Sequence, residues 1–317
     1  MKNKLLFTVI AIVISLIILI IGAEIIARIF IPEDYVLDEM NLTYRYDKKL
    51  GWFPIENSEK TFTGSRLIHI KNNKIGFRDI DHGPKSKKRI AFIGDSFVWG
   101  YDVEYGERFT EYLQQRLTNW EIINMGVSGY STDQELILLK NWFDYFKPDI
   151  VFLVVCDNDK PGNATNNFYS YYKPYFTFTG NKLVTHGIPV SKSIRYYEGK
   201  YPRLLKSRLI QALIQITRPK KIFVENPTEE IIKEMDNYVK SKGAKFFIAL
   251  TDDSSTGKPC SFCDDIPYVL LTTRERYKTN GQHWTPAGNK IVSNKIYEFL
   301  KQQHVLADSS DSLKVSH

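Results

Sequence analysis

Short apolar segments alternate with amphipathic segments from Arg89 to about Leu300. The apolar segments are rich in β-branched residues, which is typical of buried strands. The amphipathic segments carry apolar residues at three- and four-residue spacing, which is typical of helices packed on a core. Repeated strand–helix units predict an α/β fold, a three-layer αβα sandwich with a central parallel sheet.

The boundaries of these elements follow from capping and breaking residues. Thr228 and Thr285 are predicted N-caps, because a threonine hydroxyl accepts a hydrogen bond from the first turn of a helix. Pro286 supports the second start. The predicted strands are 90–93, 121–124, 150–155, 245–250 and 268–271, and the predicted helices are 107–117, 133–146, 204–216, 228–242 and 285–300.

The amino terminus is a long apolar run. Between Leu5 and Ile21 only Thr8 and Ser15 are polar, and this length just spans a hydrocarbon core of about 30 Å. Lysines precede the run, which favours an inside amino terminus. A cleaved signal peptide is the alternative, but the run is long and lacks a small-x-small site. Residues 1–31 are therefore predicted to be a single-pass transmembrane signal anchor. The rest is expected to be extracytoplasmic, on the periplasmic or outer face.

The remaining domain limits follow from composition. Residues 32–88 are predicted to be a lead-in or stalk with short β elements, in which Arg78 is a candidate for substrate contact. Residues 89–302 form the main α/β domain, with an insertion at about 157–226 that carries one helix and is otherwise irregular. Residues 303–317 are polar and are expected to be frayed.

Charge and motifs exclude several classes of function. The net charge is +7 and the pI is about 9.0, but the basic residues are spread along the chain and no nucleic-acid-binding motif accompanies them. A basic solvated surface is expected, with attraction to an anionic membrane or polymer as the alternative. No phosphate-binding glycine motif is present. We expect no cofactor and no nucleic-acid partner.

Three cysteines give little support for a metal site. Cys260 and Cys263 form a lone Cys-x-x-Cys without a second pair, so zinc is not expected and a local disulfide is the favoured alternative. Cys156 ends a predicted strand and is interpreted as a small buried apolar residue.

Four polar segments lie after predicted strands. They are Gly94-Asp-Ser96, Asn124-Met-Gly-Val-Ser-Gly129, Cys156-Asp-Asn-Asp159 and Asn280-Gly-Gln-His283. Because the carboxyl ends of parallel strands open on one edge of a sheet, we expect these segments to meet there. A serine hydroxyl needs a base to act as a nucleophile at neutral pH, and an imidazole that titrates near pH ~6.5 can serve.

These four segments together resemble the sequence blocks of the SGNH (GDSL-type) hydrolase superfamily. The predicted anchor and the segment Gly76-Phe-Arg78 also resemble those of envelope members of that group. The resemblance implies a flavodoxin-like fold, with Ser96 as the nucleophile and His283 as the base. It also implies an oxyanion hole formed by Ser96, Gly129 and the side chain of Asn158. Asp95 is interpreted as structural, since it can order the turn by local hydrogen bonds.

One position departs from the family pattern. Asn280 stands where the family places its aspartate. In the serine-protease case, such an Asp→Asn change cost about 10⁴ in turnover. The sequence therefore predicts a Ser–His dyad, a slow enzyme, or recruitment of another carboxylate. The candidates are Asp252, Asp253, Asp264 and Asp265.

The predicted activity is hydrolysis of O-acyl esters, above all O-acetyl esters, of an envelope or exported glycan or another small ester. An O-acetyltransferase with the same site is one alternative. A non-catalytic glycan-binding or assembly protein is another. The tyrosines of the segment 168–175 are expected either to stack on sugar rings or to pack internally.

Overall fold

A computed structural model of the chain describes residues 2–31, 43–217, 219–251 and 265–306. The helices are α1 Lys2–Phe30, α2 Ser96–Trp99, α3 Phe109–Arg116, α4 Thr132–Phe146, α5 Asp159–Asn163, α6 Ile194–Lys200, α7 Arg208–Thr217, α8 Thr228–Ser241 and α9 Pro286–Gln302. The strands are β1 Tyr44–Asp47, β2 Gly51–Pro54, β3 Glu59–Thr63, β4 Leu67–Lys71, β5 Lys88–Ile93, β6 Trp120–Asn124, β7 Ile150–Val155, β8 Asn167–Phe168, β9 Tyr171–Tyr172, β10 Tyr175–Thr179, β11 Lys182–His186, β12 Lys245–Leu250 and β13 Tyr268–Leu270.

The central sheet confirms the predicted fold class. Five parallel strands lie in the order β13-β12-β7-β5-β6. Counted along the chain, these strands have the order 2-1-3-4-5, which is the flavodoxin-like arrangement. The strand order reverses between β5 and β7, and ligands of such sheets bind outside the carboxyl ends of the strands at this point.

Both faces of the sheet are buried, which explains the nearly continuous apolar strands. Successive side chains of a strand point to opposite faces. Ala91 and Ile93 belong to the core that includes residues of α4 and α8. Ile90 and Phe92 belong to the opposite core, which includes residues of α3 and α9. The central strands therefore separate two cores, and helices cover each of them.

The predicted strands and the main helices are confirmed to within a few residues, and one predicted cap is wrong. Thr285 is the N-cap of α9, and its hydroxyl accepts a hydrogen bond from Gly288 N at 3.1 Å. Thr228, by contrast, is the first helical residue of α8, and Pro227 is the N-cap. The Thr228 hydroxyl instead donates to Asn226 Oδ1 at 2.5 Å and accepts from Asn163 Nδ2 at 2.7 Å. It therefore joins α8 to α5.

The segment 157–226 contains more regular structure than predicted. Besides α7 it holds two further helices, α5 and α6, and two antiparallel hairpins, β8–β9 and β10–β11. The second hairpin turns at Gly180 and Asn181, both with positive φ, and a Gly-Asn pair between alternating residues is a signal that could have revealed it. The first hairpin, β8–β9, has its turn at Tyr169 and Ser170, whose φ values are +47° and +65°. Nothing in that pair indicates a turn.

The segment from 43 to 88 packs on the main domain. Its hairpins β1–β2 and β3–β4 place Trp52, Phe53 and Ile68 in buried positions. The Asp79 carboxylate accepts a hydrogen bond from Asn124 N at 2.8 Å, at the end of β6. The segment therefore contacts the edge of the sheet that carries the polar loops.

Arg78 has a structural role, and the structure does not support the expectation that it touches substrate. Its side chain is 1% exposed. Its guanidinium donates to the carbonyl oxygens of Gly100 at 2.7 Å and Val103 at 2.8 Å. It also donates to those of His69 at 3.0 Å and Trp99 at 3.4 Å. Burial, followed by the nearby Arg108 charge, lowers the pKa of Arg78 to about 9.

Helix α1 is long and apolar enough to cross a membrane between Asn3 and Phe30. Its apolar side chains are exposed along most of the helix. The same length and composition suit either an anchor or a signal sequence.

Replacement of Arg78 should show how much its hydrogen bonds to backbone carbonyl oxygens stabilise the fold. Arg78→Lys removes the planar fork, so buried carbonyl oxygens lose their donors. We expect the melting temperature of the detergent-solubilised protein to fall by about 5–10 °C. Arg45→Lys is the control, because Arg45 pairs with Glu56 at a part-exposed site, where ion pairs contribute little. Equal shifts in the two variants would contradict the structural role.

Candidate active site

The structure brings Ser96 and His283 together. The distance between Ser96 Oγ and His283 Nε2 is 2.7 Å, although the two residues are 187 positions apart in the chain. Ser96 is 9% exposed and His283 is 8% exposed. A hydroxyl within hydrogen-bond reach of an imidazole is the arrangement that activates a serine nucleophile.

The turn after β5 determines where Ser96 lies. A Cβ on Gly94 would lie 2.5 Å from Val98 Cγ2 and 3.1 Å from Val154 Cβ, so only glycine fits between the strand and the short helix α2. Asp95 is the N-cap of α2, and its Oδ1 accepts a hydrogen bond from Phe97 N at 2.9 Å. Ser96 thus begins a helix at the point where the strand order reverses.

The imidazole of His283 is held by aromatic contacts. Tyr101 stacks on it with ring centroids 4.4 Å apart and an angle of 21° between the rings. Phe97 lies on it at 4.9 Å. A Cβ on Gly281 would lie 2.9 Å from His283 Cε1, so the backbone before the histidine also packs on the ring. Tyr101 belongs to the loop whose carbonyl oxygens Arg78 binds.

Asp95 also connects the loop after β5 to the loop after β7. Its Oδ2 accepts a hydrogen bond from Asn158 Nδ2 at 2.9 Å. Its Oδ1 accepts one from Cys156 Sγ at 3.2 Å. Asp159 Oδ2 accepts a bond from Cys156 N at 2.7 Å and so closes the same loop. Because an amide nitrogen carries two hydrogens, Asn158 Nδ2 can donate the second one to the Tyr169 hydroxyl.

Gly129 lies beside Ser96 in the wall of one cavity. Its φ of +82° is a conformation that side chains other than glycine rarely adopt. A Cβ at this position would lie 3.5 Å from Tyr169 Cδ2, in the space facing the hairpin tip. Burial raises the pKa of the Tyr169 hydroxyl, and a hydrogen bond with the Asn158 side chain opposes this rise.

This cavity has a volume of about 600 Å³. The predicted residues Ser96, Gly129, Asn158 and His283 all line it. Its other lining residues are Tyr44, Trp52, Tyr101, Ser128, Tyr169, Ser170, Tyr171, Arg195 and Gly281.

Sequence reasoning missed several of these lining residues. Trp52, from the segment before the α/β domain, and Tyr101, which follows α2, were not predicted as site residues. Among the tyrosines of segment 168–175, Tyr169 and Tyr171 line the cavity, whereas the Tyr172 hydroxyl donates to Pro219 O at 2.7 Å. Tyr172 therefore packs internally, whereas stacking of Tyr169 and Tyr171 on sugar rings stays a prediction.

Four buried carboxyl groups surround the base of these loops. They belong to Asp95, Asp133, Glu135 and Asp159, each no more than 1% exposed. Lys173 pairs with Asp133. Burial, followed by the charges of Asp159 and Asp95, raises the pKa of Glu135 well above its ordinary value of 4.5. Within the described residues, neither carboxyl oxygen of Glu135 has a hydrogen-bond partner.

Several sequence predictions fall outside the described residues. They concern Cys260, Cys263, Asp252, Asp253 and Asp264. The backbone of Asn280 begins the 3-10 turn Asn280–Gln282, but its side chain also lies outside what the structure describes. Asp265 is described and is exposed. Among the described residues, no group of three His, Cys, Asp or Glu side chains is suited to hold a metal ion.

Comparison with protein families decides the classification. Residues 90–296 match the model of the GDSL-like lipase/acylhydrolase family. The chain belongs to this family. It is therefore an ester-hydrolysing enzyme, and the matched region includes Ser96, Gly129, Asn158 and His283.

Several solved structures match the chain at low sequence identity. A member of the lipolytic G-D-S-L family from Veillonella parvula DSM 2008 is 14% identical, with 68% of this chain and 99% of that chain covered and a TM-score of 0.40. The psychrotrophic esterase EstA from Pseudoalteromonas sp. is 9% identical, with 69% and 100% covered and a TM-score of 0.41. An acetyl xylan esterase, AlAXEase, is 12% identical, with 66% and 98% covered and a TM-score of 0.39. Among curated proteins, none matches the chain.

The buried carboxyl groups predict a pH-dependent stability. The pKa of Glu135 is raised in the folded protein. The contribution of Glu135 to the free energy of unfolding is therefore fully present below its pKa in the unfolded chain, and it is lost as the pH rises through its pKa in the folded protein. Glu135→Gln removes this ionisation. We expect its melting temperature to exceed that of the unmodified protein at pH 8, with a difference that shrinks toward pH 4.

The matched control is Glu234→Gln, which removes a part-exposed partner of Lys140. It should change the melting temperature little at either pH. A Glu135→Gln effect of the same size at pH 4 and pH 8 would contradict the raised pKa.

Proposed function

We infer that the protein is an extracytoplasmic serine esterase that removes O-acyl groups, above all O-acetyl groups, from a glycan of the cell envelope or an exported glycan. The contact of 2.7 Å between Ser96 Oγ and His283 Nε2 is the observation that carries this proposal. The cavity beside the pair supplies room for an ester.

In the proposed reaction, His283 Nε2 takes the proton of Ser96 while Ser96 Oγ attacks the ester carbonyl carbon. The tetrahedral intermediate then collapses, and the alcohol oxygen of the glycan leaves with the proton from His283. A water molecule, deprotonated by the same imidazole, attacks the acyl-serine ester. Release of the carboxylic acid returns Ser96 and His283 to their initial states.

The negative charge of the intermediate needs donors at the carbonyl oxygen. We assign this role to the backbone N–H groups of Ser96 and Gly129 and to the second hydrogen of Asn158 Nδ2, which the substrate oxygen would take over from the Tyr169 hydroxyl. All three residues line the cavity. Asp95 fixes the other hydrogen of the amide, which orients the group before substrate arrives. One donor of this kind is typically worth about 10²–10³ in rate.

The surroundings of Ser96 support a short acyl group. A second cavity, which Tyr44 and Trp52 do not line, is lined by Asp157, Arg276 and Gln282 as well as by the catalytic pair. A long alkyl chain gains little free energy against charged and polar side chains. An acetyl group has little apolar surface to bury and fits this setting.

The lining of the first cavity supports a carbohydrate as the alcohol part of the ester. Trp52 and Tyr171 lie together with ring centroids 4.5 Å apart, and Tyr44 and Tyr169 complete an aromatic wall. Aromatic rings with polar edges offer both apolar faces and hydrogen-bonding groups. Sugar rings present the same combination.

The proposed location rests on α1. The helix is of membrane-spanning length, and lysines precede its apolar run, which supports an inside amino terminus. The enzyme domain would then lie on the outer side of the membrane, where envelope and exported glycans are found.

The proposed activity is tested with the full-length protein in detergent. We expect Ser96→Ala to lower kcat/KM for p-nitrophenyl acetate by at least about 10³-fold, since the nucleophile is lost. Ser241→Ala, at the exposed end of α8, should keep the unmodified rate. A fluorophosphonate should label Ser96. Equal rates for Ser96→Ala and the unmodified protein over acetyl, butyryl and octanoyl esters would support a binding protein instead.

Asn280 is predicted from sequence to occupy the acid position, and its replacement tests that assignment. Asn280→Asp should raise kcat, because a carboxylate stabilises the imidazolium that an amide does not. The gain has an upper limit of about 10⁴, the serine-protease ratio. Asn181→Asp, at the β10–β11 turn, is the matched control. A pH–rate profile of kcat that is identical in Asn280→Asp and the unmodified enzyme would refute the assignment.

A further inference from the structure

Helix α7 is attached to α1 near the outer end of its apolar run. The Glu24 carboxylate of α1 accepts hydrogen bonds from Ser207 Oγ at 2.6 Å, Arg208 N at 3.1 Å and Leu209 N at 3.0 Å. It therefore caps the amino-terminal end of α7. Arg28 of α1 also donates to Lys206 O at 3.0 Å. These bonds fix the start of α7 at one level of α1.

That level coincides with the boundary of a bilayer. The residues from Leu5 to Glu24 span about 30 Å at the rise of an α-helix, which is the thickness of the hydrocarbon core. Glu24 is the first acidic residue of the chain, and a carboxylate avoids the core. If α1 spans the membrane, the first turn of α7 lies at the headgroup layer.

The free face of α7 is apolar. Leu213 is 53% exposed and Ile216 is 79% exposed. Arg208 and Gln211 are buried on the opposite side of the helix. Phe223, six residues after α7 in the chain, is also 73% exposed. Large apolar side chains exposed together in this way indicate a contact surface.

Cations border this apolar surface. Lys206, Lys220 and Lys221 are exposed, and Lys221 Nζ lies 5.0 Å from the centroid of the Phe223 ring. Amphipathic helices that lie in a membrane surface combine apolar side chains on one face with lysines at its border. The lysines suit the phosphates of anionic lipids.

We propose that α7 and Phe223 lie in the surface of the membrane that α1 crosses, as a second membrane contact of the enzyme domain, with anionic phospholipid as the partner. This inference rests on the proposed anchoring by α1. The continuity of the α7 surface with α1 selects lipid over a protein partner, because whatever covers α7 must also fit against the bilayer around α1.

The contact has a consequence for the enzyme. Helix α6 lies shortly before α7 in the chain and brings Arg195 to the wall of the Ser96 cavity. Attachment of α7 to the membrane would therefore restrict how this wall can be oriented relative to the bilayer.

The test uses full-length protein with p-benzoylphenylalanine at single positions, reconstituted in vesicles of phosphatidylcholine and phosphatidylglycerol. Ultraviolet irradiation is followed by mass spectrometry of the intact protein. The probe at Ile216 should form lipid adducts with at least a five-fold higher yield than a probe at Tyr145, an exposed position on α4. The yield should fall when Lys220 and Lys221 are both replaced by Gln.

A probe at Ile12, within α1, separates this inference from the proposed anchoring. Lipid adducts at Ile12 but not at Ile216 would overturn the contact of α7 and leave the anchor intact. Adducts at Ile216 that join two copies of the chain would overturn lipid as the partner. Equal lipid yields at Ile216 and Tyr145 would also overturn the proposal, since they would show nonspecific contact with vesicles.

Discussion

The buried carboxylate of Asp95 connects the two loops on which the site depends. It accepts hydrogen bonds from Phe97 N, Cys156 Sγ and Asn158 Nδ2. The first holds the turn that presents Ser96, and the other two hold the loop after β7. A buried carboxyl group that accepts several hydrogen bonds stabilises its surroundings more than a single hydrogen bond does. Asp95 is thus a positioning residue for both the proposed nucleophile and the proposed amide donor.

The other half of the site depends on residues outside the matched family region. Arg78 binds the carbonyl oxygens of the loop that carries Tyr101, and Tyr101 stacks on the imidazole of His283. Trp52 packs against Tyr171 in the cavity wall. The segment before the α/β domain therefore contributes to the position of the proposed base, His283, and to the shape of the cavity.

The insertion between β7 and α8 links the cavity to the proposed membrane surface. Its first hairpin brings Tyr169 over Gly129, α6 supplies Arg195, and α7 is capped by Glu24 of the apolar helix. The insertion thus contacts the cavity through its first hairpin and contacts α1 through α7. Proposed substrate access and proposed membrane attachment are properties of the same stretch of chain.

Much of the fold was predictable because local patterns report it. Apolar strands and amphipathic helices each have a period that can be read in one sequence, and the turn glycine Gly94 has a local steric reason. The hairpin at Tyr169 and Ser170 was not predictable, because its turn residues carry no local signal and packing stabilises their positive φ. The capping role expected of Thr228 was lost to contacts with Asn226 and Asn163.

The amino-acid sequence by itself determined the αβα architecture, the apolar helix and the residue types of the candidate site, since these follow from periodicity and from blocks at strand ends. Only the tertiary structure decided that His283 reaches Ser96, that Asp95 orients Asn158, and that Trp52 and Tyr101 belong to the cavity. The physical reason is distance along the chain. These contacts join segments separated by tens to hundreds of residues, and packing of the sheet, its helices and the preceding segment brings them into hydrogen-bond range.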